Sequence, residues 1–374
     1  MPRTKYTAFF IMVFITIIIT LVYYINKNNN VDKYIVDSTI IESKFNIDRK
    51  LIKEFNEFSE IFKYHETINL HSYTNKDIVI GAIAHMLTFN DRTIVIGDPR
   101  MIKVSLYDEK GAHIKDIGTV GNGPGEFRGI SGITKDYNDN IFILDSILRR
   151  ITIMTREGNV INTFPAPAPS DKIIAERDGN FYLYFATSHP DLPVISYRNF
   201  KKGKEIKSFG SPSQHLQSIR LPVMFSGGFC IDYNNHLYVI HGLEYSIFKY
   251  KNGQLIDTFH ENPSHFVKME RPRGGLSEEH LYSFTPVVPP LLCIDQLLVF
   301  ALRKPAPEGH YLEIFTTDGE YLNGKIDLPD RYSLKWVDND GYFYFTYQPS
   351  TDADGNLPNE VILVYSLNGF EINR

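Results

Sequence analysis

The sequence predicts an all-β fold, a six-bladed β-propeller with four-stranded antiparallel blades, preceded by one N-terminal transmembrane helix. Two repeating sets of turns and a high aromatic content predict the propeller, and an uncharged N-terminal stretch predicts the helix. The chain has 374 residues, of which 43% are hydrophobic, 22% charged and 13% aromatic. Such a composition supports a large packed core, and aromatic side chains favour strands over helices.

The N-terminal stretch Thr7–Ile25 contains no charged residue. As a helix it would span roughly 28 Å, close to the thickness of the hydrocarbon core of a bilayer. Arg3 and Lys5 precede it, which favours a cytoplasmic N-terminus and an exported remainder. A cleaved signal peptide is the alternative, although no small-residue cleavage site follows the stretch. The predicted organisation is a single-pass anchor with its polar spacer (1–30), a linker (31–58) and the propeller (59–374).

The propeller prediction rests on a unit that occurs six times. In each unit a tight turn rich in Asn and Asp precedes a strand-like apolar run, and these runs are 93–96, 141–144, 181–184, 237–240, 297–300 and 342–345. Continuous apolar runs suit strands that are buried on both faces. A second set of turns carries a glycine where a tight hairpin needs positive φ: Gly111, Gly158, Gly203, Gly253, Gly319 and Gly369. These glycines lie 45 to 66 residues apart, which fits the length of a four-stranded blade.

The ring needs a closing strand, because only five residues follow Gly369. The segment 59–70 is strand-like and lies before the first repeat. We therefore expect it to supply the outer strand of the sixth blade, so that both ends of the chain close the ring. Closure also hides sheet edges that would otherwise promote aggregation.

The junction between the first two blades reads Gly121-Asn122-Gly123-Pro124-Gly125-Glu126-Phe127. Together with the stretch from Asp136 to Asp145 and the pair Arg150-Ile151, it resembles the NHL-type repeat. The pattern from Phe58 to Gly158 is similar to six-bladed propeller proteins of bacterial cell envelopes, most of which have no assigned function. The resemblance implies the fold and an extracytoplasmic location. Most such proteins carry a lipid at the N-terminus, whereas this chain has an apolar segment there.

The long connections all fall between the second and third strands of a blade or between blades. They are Phe185–Pro193, Gly210–Ser226, His260–Thr285, Arg303–His310 and Gln348–Pro358. Because connections of these two kinds emerge on the same side of a propeller, one face is predicted to be plain and the other elaborated. Long loops on a rigid scaffold usually carry function. The alternative is that they only cap the channel.

Candidate binding residues follow the second strand of three blades. Asp98, Asp145 and His241 occupy the same repeat position, which predicts a polar ring near the channel mouth. For the two aspartates the alternative is turn capping by the side chain. The full candidate set on the elaborated face is Asp98, Arg100, Asp145, Arg149, His241 and Glu244.

A metal-dependent enzyme is the alternative function. Peptide-amidating lyases are similar in ring size and hold zinc with histidines from different blades, and lactonase-like propellers hold calcium at the channel mouth. By this resemblance Zn²⁺ or Ca²⁺ would be the cofactor. Zinc needs three or four converging ligands, for which the candidates are His189, His241 and His310.

Cys230 and Cys293 both lie in Cys-Ile-Asp sequences on the predicted inner strands of blades four and five. A disulfide requires Cα atoms within about 7 Å of each other. We expect the inner strands of neighbouring blades to lie further apart than this. The prediction is therefore two buried free thiols, although an exported chain would reach a compartment that permits disulfides.

Several function classes are excluded by composition and motifs. The net charge is -5 and there is no long basic run, so nucleic-acid binding is not expected. The sequence has no Gly-x-Ser-x-Gly elbow, P-loop or dinucleotide fingerprint. We therefore expect a membrane-anchored binding or scaffold module, facing the periplasm or the exterior, whose ligand is a peptide, a glycan or a protein.

Overall fold

The structure is a computed structural model that describes residues 45–72, 79–185, 187, 189, 191–212, 214–219, 227–261, 263–270, 277–305, 309–350 and 359–372. The predicted anchor Thr7–Ile25 lies outside the described residues. Within them, the helices are all too short or too polar to cross a bilayer.

The described chain forms six four-stranded antiparallel blades around a central channel, as the sequence predicts. The innermost strands are β3 (His85–Thr88), β8 (Ile130–Lys135), β12 (Ser170–Ala175), β16 (Gly228–Ile231), β20 (Val287–Ile294) and β24 (Tyr332–Val337). The second strands are β4 (Ile94–Asp98), β9 (Ile141–Asp145), β13 (Phe181–Phe185), β17 (His236–Ile240), β21 (Leu297–Arg303) and β25 (Tyr342–Tyr347). The third strands are β5 (Lys103–Tyr107), β10 (Arg150–Met154), β14 (Ile195–Arg198), β18 (Ser246–Lys251), β22 (His310–Thr316) and β26 (Val361–Leu367). The outermost strands are β6 (His113–Val120), β11 (Val160–Pro165), β15 (Glu205–Phe209), β19 (Gln254–His260), β23 (Tyr321–Asp327) and β2 (Phe62–Ile68). A two-residue strand, β7 (Glu126–Phe127), runs parallel to β6.

The second strand of each blade is mostly apolar because both of its faces are covered. In β9, Ile141 and Ile143 pack against the first blade, whereas Phe142 and Leu144 pack against the third. All five residues of β9 are buried, and the same holds for β4 and β13. The continuous apolar runs in the sequence therefore reflect stacking of blades on both sides.

Five of the six predicted glycines lie in turns between third and fourth strands, and Gly369 lies in the turn from β26 to Phe370–Ile372. Each has a positive φ, from 61° at Gly203 to 93° at Gly319. This left-handed backbone is strained for any residue with a Cβ atom. The repeated glycines are therefore explained by the conformation of these turns.

In blades four and six, the turn between the first and second strands is held by an acid and a tyrosine six residues later. Tyr238 donates to Asp232 at 3.0 Å in blade four, and Tyr344 donates to Asp338 at 3.0 Å in blade six. The other oxygen of Asp338 accepts backbone N–H groups of the turn at 2.9 Å. Burial raises the pKa of Asp338, and these donors oppose that shift. The acids at this position are thus structural.

The ring is closed by β2, which pairs with β26 as the outer strand of the sixth blade. The residues just before it, Phe58–Ile61, form a short helix, α2, in which the Glu60 carboxylate accepts the backbone N–H of Glu57 at 3.0 Å. The strand therefore begins at Phe62, later than the segment 59–70 suggests.

Residues 45–58, which the sequence assigns to a linker, pack onto the propeller. Strand β1 (Phe45–Ile47) pairs with β27 (Phe370–Ile372), and helix α1 (Arg49–Glu54) follows it. Asn323 of β23 donates to the backbone carbonyls at the end of α1 at 2.6 and 2.8 Å. Phe45 and Ile52 are buried in the largest core cluster. This segment is therefore part of the propeller domain. It pairs and packs with residues from the C-terminal part of the chain.

The prediction of two free thiols is wrong. Cys230 and Cys293 form a disulfide, with their Cα atoms 5.8 Å apart. Both residues lie one position inside the end of their strand, on β16 and β20, which are adjacent around the channel. The strands approach so closely that a Cβ atom added to Gly228 would lie 2.6 Å from the backbone nitrogen of Leu291. The inner strands converge at the centre of the ring, which brings the two thiols within bonding range.

Candidate functional site

The long connections emerge at one end of the ring, which we call the long-loop face. They join second to third strands within a blade or lead from one blade to the next. The opposite end, the plain face, carries the short turns between first and second strands and between third and fourth strands. Two inter-blade connections on the long-loop face contain short helices, α3 (Gln214–Ile219) and α4 (Glu278–Leu281).

The two helix-containing connections share an apolar core. Leu216 from the first connection packs with Met269 and Phe284 from the second, and with Leu243 from a turn of blade four. These side chains are only 1% to 7% exposed. Burial of this kind orders the loops into a layer above blades three to five, because each side chain would otherwise meet water.

A buried hydrogen-bond network fixes the second of these connections to blade five. His265 Nε2 lies 2.7 Å from Glu313 Oε1 in β22. The fully buried Glu313 carboxylate also accepts from the Tyr245 hydroxyl and from the backbone N–H of Lys325. Because both carboxylate oxygens have donors, Glu313 anchors the loop layer to the rigid scaffold.

Asp98 and Asp145 are buried at the ends of β4 and β9, where they cap the turns to the third strands. Asp98 accepts backbone N–H groups from Arg100 and Met101 at 3.0 Å and from Gly81 at 2.6 Å. Asp145 accepts in the same way from residues 147 and 148 and from residue 128. Each carboxylate thus joins its own turn to the preceding inter-blade connection. Neither aspartate lines the central channel.

The remaining candidates of the binding set are divided between surface and interior. Arg100 is exposed and donates to the Gly81 carbonyl at 3.1 Å, and Arg149 is exposed with a positive φ of 48°. His241 is buried, and its Nδ1 lies 3.0 Å from the Tyr184 hydroxyl. Glu244 follows in the same turn. Burial, followed by the charges of Asp171 and Glu244, raises the pKa of Tyr184. The structure therefore places His241 beside Tyr184 of blade three, and Glu244 in the same turn of blade four as His241.

The three histidines considered as metal ligands lie in different settings. His241 is enclosed by aromatic rings, and burial lowers its pKa to about 4. His189 is exposed and accepts from the backbone N–H of Asp191 at 3.3 Å. His310 begins β22, where burial and then the charges of neighbouring cations lower its pKa. Among residues that the structure describes, no group of three His, Cys, Asp or Glu side chains could hold a metal ion.

The central channel contains a cavity of about 360 Å³, lined by the inner strands of all six blades. Its plain-face end carries acids of the first turns, which are Glu176, Asp232, Asp295 and Asp338. Its long-loop end carries the basic side chains of His85, Lys172 and Lys335. Burial, followed by the charges of Lys172 and Lys335, lowers the pKa of His85 to about 4. Burial also lowers the pKa of Lys335.

Sequence reasoning missed these three basic residues. His85 lies opposite Gly97 and Lys172 lies opposite Tyr184, so both are three positions before the last pair of the strand pairing. Lys335 occupies a bulge between Leu334 and Trp336. The available signal is a basic residue three or four positions before the first turn.

The fold is similar to solved structures of low sequence identity. One is a candidate exported protein of Bacteroides fragilis, at 12% identity and a TM-score of 0.61, covering 85% of this chain and 97% of that chain. Another is a member of the duf4221 family from Bacteroides vulgatus, at 11% identity and 0.57, covering 83% and 98%. A gluconolactonase from Xanthomonas campestris aligns at 16% identity and 0.46, covering 74% and 82%. At such identities the likeness extends to the fold alone. No curated protein sequence matches the chain significantly.

A family match agrees with the architecture. Residues 37–271 match the family described as 6-bladed beta-propeller. The matched region covers more than half of the chain, and the six observed blades are those that the description requires. The chain therefore belongs to this family of six-bladed β-propellers.

Proposed function

We propose that this chain is an extracytoplasmic binding propeller that takes a peptide, glycan or protein ligand on its long-loop face. The observation that carries the proposal is the apolar core shared by Leu216, Leu243, Met269 and Phe284. A loop layer with its own core is held in one shape, and a surface of fixed shape binds with a smaller loss of conformational entropy. The Glu313 network supports this, because it joins the layer to the blades.

A photocrosslinking experiment on the full chain in its membrane tests this proposal. Tyr282 lies in the loop layer and is 39% exposed, whereas Tyr137 lies in a plain-face turn and is 70% exposed. We would replace each in turn by p-benzoylphenylalanine and irradiate intact cells. Adducts are expected from position 282 and not from the matched control at 137. Adducts confined to position 137, or none from either position, would contradict a macromolecular ligand on the long-loop face.

We further propose that the propeller lies outside the cytoplasm, held by Thr7–Ile25 as a single-pass helix with a cytoplasmic N-terminus. The Cys230–Cys293 disulfide supports export, because such bonds persist in oxidising compartments. Protease added to spheroplasts should digest the propeller without lysis. Digestion only after lysis would refute the proposed topology.

We also infer that the first two blades are of the NHL type. The turn-capping aspartates Asp98 and Asp145 support this, since both occupy the same position and make the same three kinds of backbone contact. Exchange of the two capping turns between the blades, 98–101 for 145–148, should therefore leave the fold intact. Loss of the folded state in this variant would count against a shared repeat.

A further inference from the structure

The long-loop end of the channel concentrates positive charge in an enclosed space. His85, Lys172 and Lys335 come from the inner strands of blades one, three and six, and all three line the same cavity. Lys172 is paired with Asp171 at 2.6 Å. Other lysines form ion pairs in the same way, at 2.5 to 2.6 Å. By contrast, the Lys335 ammonium group forms no ion pair with a carboxylate of the described part of the chain.

The acid whose charge acts on Lys335, Glu360, does not form an ion pair with it. Glu360 acts on Lys335 through its charge from a distance, and its Oε2 accepts the backbone N–H of Ile83 at 3.3 Å. Lys304, a further cation near this end, is already paired with Asp327 at 2.5 Å. A partly buried ammonium group without a counterion is costly, because its hydration is reduced and no carboxylate replaces it.

We propose that this end of the channel binds a small molecule that carries an oxyanion, either a carboxylate or a phosphate group. Lys335 Nζ donates to the oxyanion, the imidazole of His85 provides a second donor, and Lys172 adds positive charge. A cavity of about 360 Å³ accommodates a molecule of monosaccharide size. The site is separate from the macromolecular ligand proposed for the loop layer, so either proposal can fail without the other.

Binding of an anion also predicts a change in protonation. In the free protein the groups whose charges act on His85 are Lys172, Lys335 and, in the opposite sense, Asp171. Burial and the two lysines keep the imidazole neutral above about pH 4. A bound oxyanion offsets the lysine charges and stabilises the imidazolium form, so the protein should take up protons on binding near pH 5.

The channel contains its own reporter. Trp336 is the only tryptophan in the sequence, it lines the same cavity, and its indole nitrogen donates to Thr88 Oγ1 at 3.1 Å. We would titrate the full chain with glucose, glucuronate and glucose 6-phosphate at constant ionic strength and follow Trp336 fluorescence. These probes share a sugar ring and differ at carbon 6, which is neutral, a carboxylate or a phosphate. A saturable change is expected for at least one anionic probe and none for glucose, and the preferred anion identifies the group.

Two lysine variants make the test specific. Lys335→Met should weaken binding of the preferred probe at least tenfold, because it removes a charge-assisted hydrogen bond. The matched control is Lys135→Met, since Lys135 lies at the plain-face end of the channel and is paired with Asp139 at 2.7 Å. This control should change the affinity less than twofold.

The outcomes separate clearly. Equal binding of glucose, no saturable response to any probe, or equal loss in both lysine variants would overturn the proposal. If Lys335→Met does not fold, proton uptake is measured on the wild-type protein instead. The preferred probe is titrated by calorimetry at pH 5 in two buffers of different ionisation enthalpy. Proton uptake on binding is then the expected result, and its absence would equally overturn the proposal.

Discussion

The disulfide between Cys230 and Cys293 gives the most direct quantitative test of the propeller. It joins the inner strands of blades four and five and closes a loop of 63 residues. Replacing both cysteines by serine leaves the blades in place but removes this constraint from the unfolded chain. For a loop of this length the chain-entropy relation gives a loss of about 4 kcal/mol at 25 °C.

The expected shift in the melting temperature follows from the size of the domain. The compact unit extends over Ser43–Arg374. At about 2.1 cal/mol/K per residue, its unfolding entropy is about 0.7 kcal/mol/K, so the double variant should melt about 6 °C lower. Scanning calorimetry of wild type and Cys230→Ser/Cys293→Ser, both without reductant, measures this difference.

Two controls isolate the covalent bond from side-chain effects. The single variant Cys230→Ser should lose as much stability as the double variant, because either change opens the loop. Reduction of the wild type should lower its melting temperature to that of the variants. Equal melting temperatures without reductant, or two free thiols in the denatured wild type, would refute the reasoning.

Two further predictions concern the inner strands and the buried histidine. Gly228→Ala should cost about 1–3 kcal/mol of unfolding free energy, because the new Cβ atom would lie 2.6 Å from the backbone of Leu291. The control Gly123→Ala meets only the carboxylate end of Glu126, at 3.1 Å, and should cost less than about 0.5 kcal/mol. Denaturant titration measures both, and equal costs would contradict the close approach. His241 is neutral in the fold because its pKa is about 4, below the unfolded value of about 6.5. The unfolded chain thus binds more protons between these values. The free energy of unfolding should therefore decrease as the pH is lowered from about 6.5 to about 4, by up to about 3 kcal/mol from this residue. The difference in unfolding free energy between wild type and His241→Gln should therefore shrink from pH 7 to pH 4, and a constant difference would refute the account.

The blades could be predicted from sequence because their signals are local. A glycine at positive φ in each second turn and a continuous apolar second strand need only a few neighbouring residues. The role of residues 45–58 could not be predicted, because their partners are distant in sequence. Asn323 and the Phe55 carbonyl, for example, are 268 residues apart.

The inner strands were predicted less well because their chemistry depends on the geometry of the ring. Whether Cys230 reaches Cys293 depends on how closely β16 approaches β20, and no pattern within either strand encodes that distance. Lys335 faces the channel at a bulge, where the alternation of a strand is interrupted. Asp98 and Asp145 are the opposite case. Their shared repeat position is conspicuous in the sequence, but their carboxylates cap turns by accepting backbone N–H groups.

The two ends of the channel differ in how their charges are satisfied, and this difference indicates where a ligand would bind. At the plain-face end, Asp232 and Asp338 already accept hydrogen bonds from turn N–H groups and from a tyrosine of their own blade. Their position in the channel wall is a consequence of turn capping. At the long-loop end, Lys335 makes no comparable contact with the described residues. The ordered loop layer lies on this same side. A ligand that supplies negative charge would therefore be stabilised at the long-loop end, whereas at the plain-face end it would meet carboxylates that already accept hydrogen bonds.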